Sequence, residues 1–193
     1  HVVLNLNGHL DIDSSIYLTG NLTYTKGYID GGDLNVEGHV TQGVSSNGGT
    51  GTLVFTGIWF QTLTGSGIRG VGELPDVEVN KHSGTLTLAS VINTKNDWSH
   101  IEGVVAYGSS ELAFTGSSQY FNNAGMSVNS LYIDVTGGLY ITGNLNVMGE
   151  LYVKNWTVLG GDLYAYGDVT TALTSQSTTT GIVHFVGSNA QTF

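Results

Sequence analysis

The sequence predicts an all-β chain wound as a parallel β-helix, a β-solenoid of hexad-based coils with no substantial helix. The first observation is that Leu139 to Asp168 divides into six-letter words, LYITGN, LNVMGE, LYVKNW, TVLGGD and LYAYGD. Apolar residues tend to hold positions one and three of each word, Gly position five and a small polar or acidic residue position six. A period-two strand signal thus alternates with a bend where φ can turn positive. The second is that the same register recurs near the start. The third is that apolar residues nowhere recur at helical spacing, and the abundant Gly, Thr, Val and Asn are poor helix formers.

In chain order, VVLNLNGHLDI reads as an opening strand, and from Leu10 the words LDIDSS, IYLTGN, LTYTKG, YIDGGD, LNVEGH and VTQGVS run to Ser45. Set without gaps against Leu139 to Thr174, this stretch is identical at 11 of 36 positions, so the two read as copies of one coil pattern. Both copies break step at the fourth word. There Ile29 and Val158 are apolar at position two, just before Gly31-Gly32-Asp33 and Gly160-Gly161-Asp162, which predicts a shared bulge or corner. A second motif occurs three times, as LVFTGIWFQTL from Leu53, LAFTGSSQYF from Leu112 and VHFVGSNAQTF from Val183, marked by Phe55, Phe114 and Phe185. Apolar alternation returns after the first two as VEVNKHSGTLTL from Val77 and LYIDVTGGLYI from Leu131. The expected organisation is one domain, 1–193, of three long units, 1–66, 67–121 and 122–193. At three words per turn a coil takes about 18 residues and advances ~4.8 Å, giving about ten coils and a rod roughly 50 Å long. An antiparallel sandwich or barrel is the structural rival, but hairpin turns would vary more in spacing.

GTLVFTGIWFQTLTGSG followed by LPDVEVNKHSGTLTL resembles β-helical regions of large secreted bacterial surface proteins, adhesins and autotransporter-like passengers. In those, an F-x-G…Q turn alternates with paired short strands. The word LYITGNLNVMGE is also similar to the hexads of bactofilins, polymer-forming β-helical proteins. The resemblance implies a structural role and carries no catalytic residue. The long Phe-Gly-Gln units depart from the bactofilin pattern.

Composition narrows the function classes. Only 10% of residues are charged, five Lys and Arg stand against fifteen Asp and Glu, and the net charge is −10. That inventory can neutralise few phosphates and argues against nucleic-acid binding. No apolar run approaches the ~18 residues of a membrane span. With Cys absent, disulfides, thiol catalysis and thiolate metal sites are excluded. Few Lys, many Thr, Ser, Asn, Gly and Tyr, and the acidic balance lean toward an extracellular or cell-surface location on a bacterium.

Candidate chemistry is sparse. Asp11 and Asp13 lie at i and i+2 on one outer strand face, as an acid/base pair would, but solvated carboxylates are the plainer reading. Arg69, Lys26, Lys81, Lys95 and Lys154 are scattered and predict no basic cleft of the kind a lyase uses on acidic sugars. On an 18-residue coil Glu150 would stack on Asp168, and Asn144 on Asp162. Such oxygens could hold Ca²⁺, yet no six-to-seven-oxygen cage is legible and corner duty is favoured. The six His show no zinc spacing. SSNGGTGT and TGSGIRGVG lack a Lys-Ser/Thr ending and read as loops. No catalytic residue, metal or cofactor is therefore assigned. Trp98, in NDWSHIEG beside Asp97, His100 and Glu102, and the outward Tyr140, Tyr152 and Tyr164 are the candidate contacts for a glycan or a second subunit. The three tyrosines are expected on different faces.

The chain starts in a strand at His1 and stops within the third Phe-Gly-Gln motif, with no polar cap legible at either end. Two expectations follow: an internal segment of a longer β-helix, or subunits that stack end to end. The expected function is a structural rod, stalk or filament without catalysis, a homo-oligomer through its end coils or continuous with flanking repeats. The alternative is a glycan-binding or glycan-cleaving β-helix of tailspike or polysaccharide-lyase type.

Overall fold

A computed structural model describes residues 1–155, 158–172, 181–188 and 190–192. Trp156, Thr157, Leu173 and Thr174 of the second hexad copy, and Asn189 and Phe193 of the third Phe-Gly-Gln motif, lie outside the described residues. The chain is a parallel β-solenoid of about nine turns, with no helix among the described residues. At one strand spacing per turn the rod is roughly 40 Å long.

Every strand pairing among the described residues is parallel, so each coil lies on the one before it. Strand β1 (Val2–Leu18) pairs with β2 (Leu22–Val36), which continues to β3 (Val40–Ser46) and β4 (Thr52–Phe55). Next, β5 (Gln61–Thr64) and β6 (Asp76–Ala89) carry the main sheet onward to strands Trp98–Ala106, Ser118–Asn122, Gly138–Thr142 and Val158–Gly160. A second sheet stacks Val91–Thr94, Glu111–Phe114, Ser130–Asp134, Leu151–Asn155 and Val169–Thr171. A third stacks Leu145–Val147, Leu163–Ala165 and Val183–Phe185.

Period-two alternation decides which side chains enter the core, and the parallel register then aligns them into ladders. Leu34, Leu53, Val77, Trp98, Phe121 and Ile141 form one such ladder, each nearly or fully buried. Ile92, Leu112, Leu131, Leu151 and Val169 form another. These ladders merge into a single hydrophobic cluster running from Ile12 to Val169. Such burial is the main stabilising term, at ~25 cal/mol per Å² of apolar surface removed from water.

The break of step in the fourth word is a shared corner, as the sequence predicts. Ile29 and Val158 point inward, and Gly31 and Gly160 take left-handed φ values of 84° and 94°. A Cβ on either would lie 2.4 Å from the carbonyl oxygen of Ile12 or Ile141 in the previous coil, so only glycine fits.

The uniform 18-residue coil is corrected. Clean hexads do repeat at that interval, since Leu22 pairs with Val40 and Leu145 with Leu163. Around the first Phe-Gly-Gln motif the coil lengthens, with Leu53 paired to Val77 and Leu63 to Leu88. The additional residues lie in corner loops, which lengthen the turn without disturbing the strands.

Those corners share a latch. Gln61 Nε2 donates to Val36 O and Gly38 O, each at 2.8 Å. Gln119 Nε2 donates to Thr94 O (3.2 Å) and Asn96 O (2.8 Å), and Gln191 Nε2 to Ala165 O (2.9 Å) and Gly167 O (2.6 Å). In the second and third copies the glutamine oxygen accepts the N–H of Gly116 or Gly187 from its own loop. In the first copy Lys81 Nζ donates to it instead. Each motif thus places one amide where it satisfies two carbonyls of the coil beneath and ties down its own corner.

Candidate functional site

The outer surface divides into side chains that link neighbouring coils and a smaller set that project. The largest linking knot centres on Arg69, carried by the loop between β5 and β6. Asn93, fully buried, shapes that loop: its Nδ2 donates to Ser66 Oγ, Ile68 O and Val71 O, and the Gly70 N–H donates to its Oδ1 at 2.7 Å. So held, Arg69 meets Glu111 in a bidentate pair (Nε to Oε1 2.6 Å, Nη2 to Oε2 2.5 Å) and reaches Glu150 Oε2 at 3.1 Å. Its guanidinium also lies 5.0 and 5.1 Å from the ring centroids of Tyr132 and Tyr152. Fork geometry and cation–π contact both suit Arg better than Lys. The pairing with the two glutamates raises the pKa of Arg69 further above its ordinary value.

The candidate tyrosines fall on three different sheets. Tyr140 stacks on Tyr120 with centroids 4.8 Å apart, Tyr152 on Tyr132 at 5.2 Å, and Tyr164 on His184 at 4.6 Å. Each is partly exposed, and Tyr120, which sequence reasoning did not select, is more exposed than Tyr140 above it. Trp98 is corrected: it is fully buried in the core ladder between Val77 and Phe121, where no glycan or second subunit can touch it. Alternation from Trp98 through Ser99 to His100 turns the tryptophan inward together with the imidazole. His100 Nδ1 and Nε2 lie 3.1 and 2.8 Å from Asn123 O and Gly103 O, so it fastens a corner.

Asp11 and Asp13 flank the buried Ile12 and both point outward. Asp11 is drawn into a group with His9 and Asp30, whose ligand-type atoms all lie within 4.8 Å of one another. Asp30 is already committed there: it pairs with His9 Nδ1 and accepts from the N–H (2.8 Å) and hydroxyl (3.1 Å) of Thr50. The His9 hydrogen bond, with those from Thr50, holds the Asp30 carboxyl below its ordinary range. His9 in turn stacks on Tyr28 at 4.6 Å. A matching arrangement occurs near the other end, where Asp162 accepts from His184 Nε2 and the Ile182 N–H, and both lower its pKa.

Glu150 and Asp168 do stack at one corner, since the N–H groups of Leu131 and Leu151 donate to their backbone carbonyls. Their side chains turn to different partners, Glu150 to Arg69 and Thr170, and Asp168 to the Thr192 N–H at 2.9 Å. Asn144 and Asp162 are likewise one coil apart, with the Asp162 N–H 3.4 Å from Asn144 Oδ1. The basic side chains are links too. Lys26 donates to Asn7, Lys95 pairs with Glu73, Lys154 with Asp134, and Lys81 is buried.

Among the described residues, two exposed apolar features stand out. One is the first coil, whose inward residues are left uncovered on one side. A cavity of about 340 Å³ opens there, lined by Val2, Leu4, Leu10, Ile16, Leu22 and Leu34 among others. The other is the tip of the first Phe-Gly-Gln loop, where Ile58, Trp59 and Phe60 are 57, 75 and 78% exposed. The sequence displayed these three residues openly, but a strand-and-turn reading offered no reason to set them apart from the core.

The chain has no significant match to any protein-family model, curated protein or solved structure.

Proposed function

We propose that this chain is a structural β-solenoid segment of an extracellular rod, stalk or filament, in which another coil covers its first coil. The observation that carries the reading is the open apolar face of β1. Ile16 and Val2 are 41 and 39% exposed, whereas their partners one coil later, Leu34 and Leu22, are 4 and 1% exposed. The same alternation that builds a core in the second coil is therefore present but uncovered in the first. β1 is also the outermost strand of the main sheet, and an uncovered edge of this kind is a template for a further parallel strand. The linking of surface charges between coils, by Arg69 and by the His9–Asp30 pair, suits a rigid element.

Replacing Val2 and Ile16 by Lys tests the reading. In a lone chain both ammonium groups reach water, but beneath another coil they would be buried without partners. Sedimentation velocity of the wild type should show concentration-dependent association that the double variant lacks, with unchanged circular dichroism. A wild-type chain that stays monomeric at high micromolar concentration would count against self-stacking. The covering coil would then have to come from flanking sequence.

A further inference from the structure

The strand that opens each Phe-Gly-Gln motif has a coil on one side of it, and in two of the three copies a coil on the other. In β4, Leu53 and Phe55 rest on Leu34 and Val36 of β2 and are covered by Val77 and Val79 of β6. In strand Glu111–Phe114, Leu112 and Phe114 rest on Ile92 and Thr94 and are covered by Leu131 and Ile133. The third, Val183–Phe185, rests on Leu163 and Ala165, and among the described residues no further strand follows it in its sheet. β1 stands in the converse position. Its Val2 and Leu4 pair onward with Leu22 and Tyr24, as Val77 pairs onward with Trp98 and Leu131 with Leu151, but no described strand lies on its other side.

The two closed junctions show what the open ones require. Their covering strands read VEVN from Val77 and LYID from Leu131, and β1 reads VVLN from Val2, so Val2 and Leu4 stand where Val77 and Val79, or Leu131 and Ile133, stand in the copies. A second point fixes the register. The glutamine of the motif pairs with a leucine of the covering coil, Gln61 with Leu86 and Gln119 with Leu139. Those leucines lie nine and eight residues after Val77 and Leu131, and Leu10 lies eight after Val2. Burial follows the same correspondence. Leu53, Leu112, Val77, Leu131, Leu86 and Leu139 are all 2% exposed or less, whereas Val183, Leu4 and Leu10 are only partly buried and Val2 is 39% exposed. A slip of one residue would turn every inward side chain out, so agreement at both points selects one register.

We infer that the coil covering β1 is the third Phe-Gly-Gln coil of a second copy of this chain, with Val183 against Val2, Phe185 against Leu4 and Gln191 against Leu10. The inference rests on the reading proposed above, that another coil covers the first. The contact joins unlike ends, so it does not close on itself but repeats, and the product is a polar filament with parallel strands running through every junction. On the outer face His184 comes beside Val3 of the next copy, as Val54 lies beside Glu78 and Ala113 beside Tyr132.

The test is sedimentation velocity of the full 193-residue chain with one end blocked at a time, by Val2→Lys or by Val183→Lys, each variant first checked for unchanged circular dichroism. Wild type should associate, and each variant alone should stay monomeric. An equimolar mixture should form a two-chain species and nothing larger, because one variant keeps only the first end and the other only the last. Register is read by cysteine pairing, free of background because the chain has no Cys. Val3→Cys and His184→Cys chains, mixed and oxidised, should form the mixed disulfide, since neighbouring strands lie ~4.8 Å apart, within the ~4.4–6.8 Å that a disulfide spans between Cα atoms. Asn5→Cys in place of Val3→Cys, roughly 7 Å further along the strand, should give far less. Val183→Lys chains that pair with each other would overturn the inference in favour of like ends meeting, and leave the covered first coil standing. A monomeric wild type would overturn it in favour of flanking sequence as the cover. Association that persists in both variants and their mixture would overturn this inference and the reading beneath it, and equal cross-linking from Asn5→Cys would overturn the register.

Discussion

Replacing Gln119 by Leu tests whether the Phe-Gly-Gln latch stabilises the solenoid. The side chain is fully buried and makes three hydrogen bonds, to Thr94 O at 3.2 Å, to Asn96 O at 2.8 Å and from the Gly116 N–H at 2.8 Å. Leucine has nearly the same volume, so the cavity term is small and the loss is that of the bonds. At about 1 kcal/mol net for each bond, with a surcharge where a buried group stays unpaired, the variant should lose about 3 kcal/mol, within a range of about 2–5. For a domain of this size each kcal/mol lowers the melting temperature by roughly 2–4 °C, so a fall of roughly 6–12 °C is expected. Urea titration with two probes, far-UV circular dichroism and tryptophan emission, should show a lower midpoint at unchanged slope. Gln119→Glu provides a sharper contrast, because a carboxylate offers two oxygens where two carbonyls need donors. It should be less stable than Gln119→Leu at pH 7 and recover part of the loss once protonated. A loss below about 1 kcal/mol for Gln119→Leu would refute the latch, since it would mean that the corner finds its hydrogen bonds elsewhere.

Three other outcomes follow from the same geometry. Gly31→Ala places a Cβ 2.4 Å from Ile12 O at a φ of 84°, and should lower unfolding free energy by about 2–4 kcal/mol in denaturant titration. Lys81→Met leaves Gly57 O, Trp59 O and Gln61 Oε1 without their donor, so it should destabilise by about 2–4 kcal/mol and make the Ile58–Phe60 loop a preferred site of limited proteolysis. Acid should weaken the fold: Asp30, Asp162 and Asp168 titrate below the ordinary carboxylate range when folded, so the unfolded chain takes up their protons first. Their contribution is complete above about pH 4 and lost as pH falls through the folded values. Asp76, raised by burial, acts in the opposite sense just above that window. Asp30→Asn should flatten the slope of stability against pH below about 4 in denaturant titrations.

How much of this was legible in the sequence depended on distance along the chain. Hexads and the fourth-word break are local, and a pattern that repeats every six residues is visible before any coil is closed. Coil length was not legible, because the residues that lengthen a turn around Ile58 or Arg69 sit in loops with no periodicity to count. Stacking partners beyond those loops were lost with it, which is why Arg69 was read as isolated although its carboxylates come from Glu111, at the start of a strand, and Glu150, at a corner, both far along the chain. Trp98 was misplaced for another reason. Its polar neighbours Asp97 and Glu102 suggested a surface, whereas strict alternation with Ser99 and His100 would have sent it inside. The glutamine latch was visible as a recurring letter, but its role needed the preceding coil's carbonyls.

The central claim, that the first coil is covered by another coil, is tested most directly by electron cryomicroscopy of the purified chain together with the intact mass of the natural protein. The account predicts either rods far longer than one roughly 40 Å particle, with the ~4.8 Å repeat running unbroken across each junction, or a natural polypeptide well above 20.3 kDa whose further coils lie on β1. A natural protein of 20.3 kDa that forms only short, monodisperse particles with the β1 face open to solvent would contradict it.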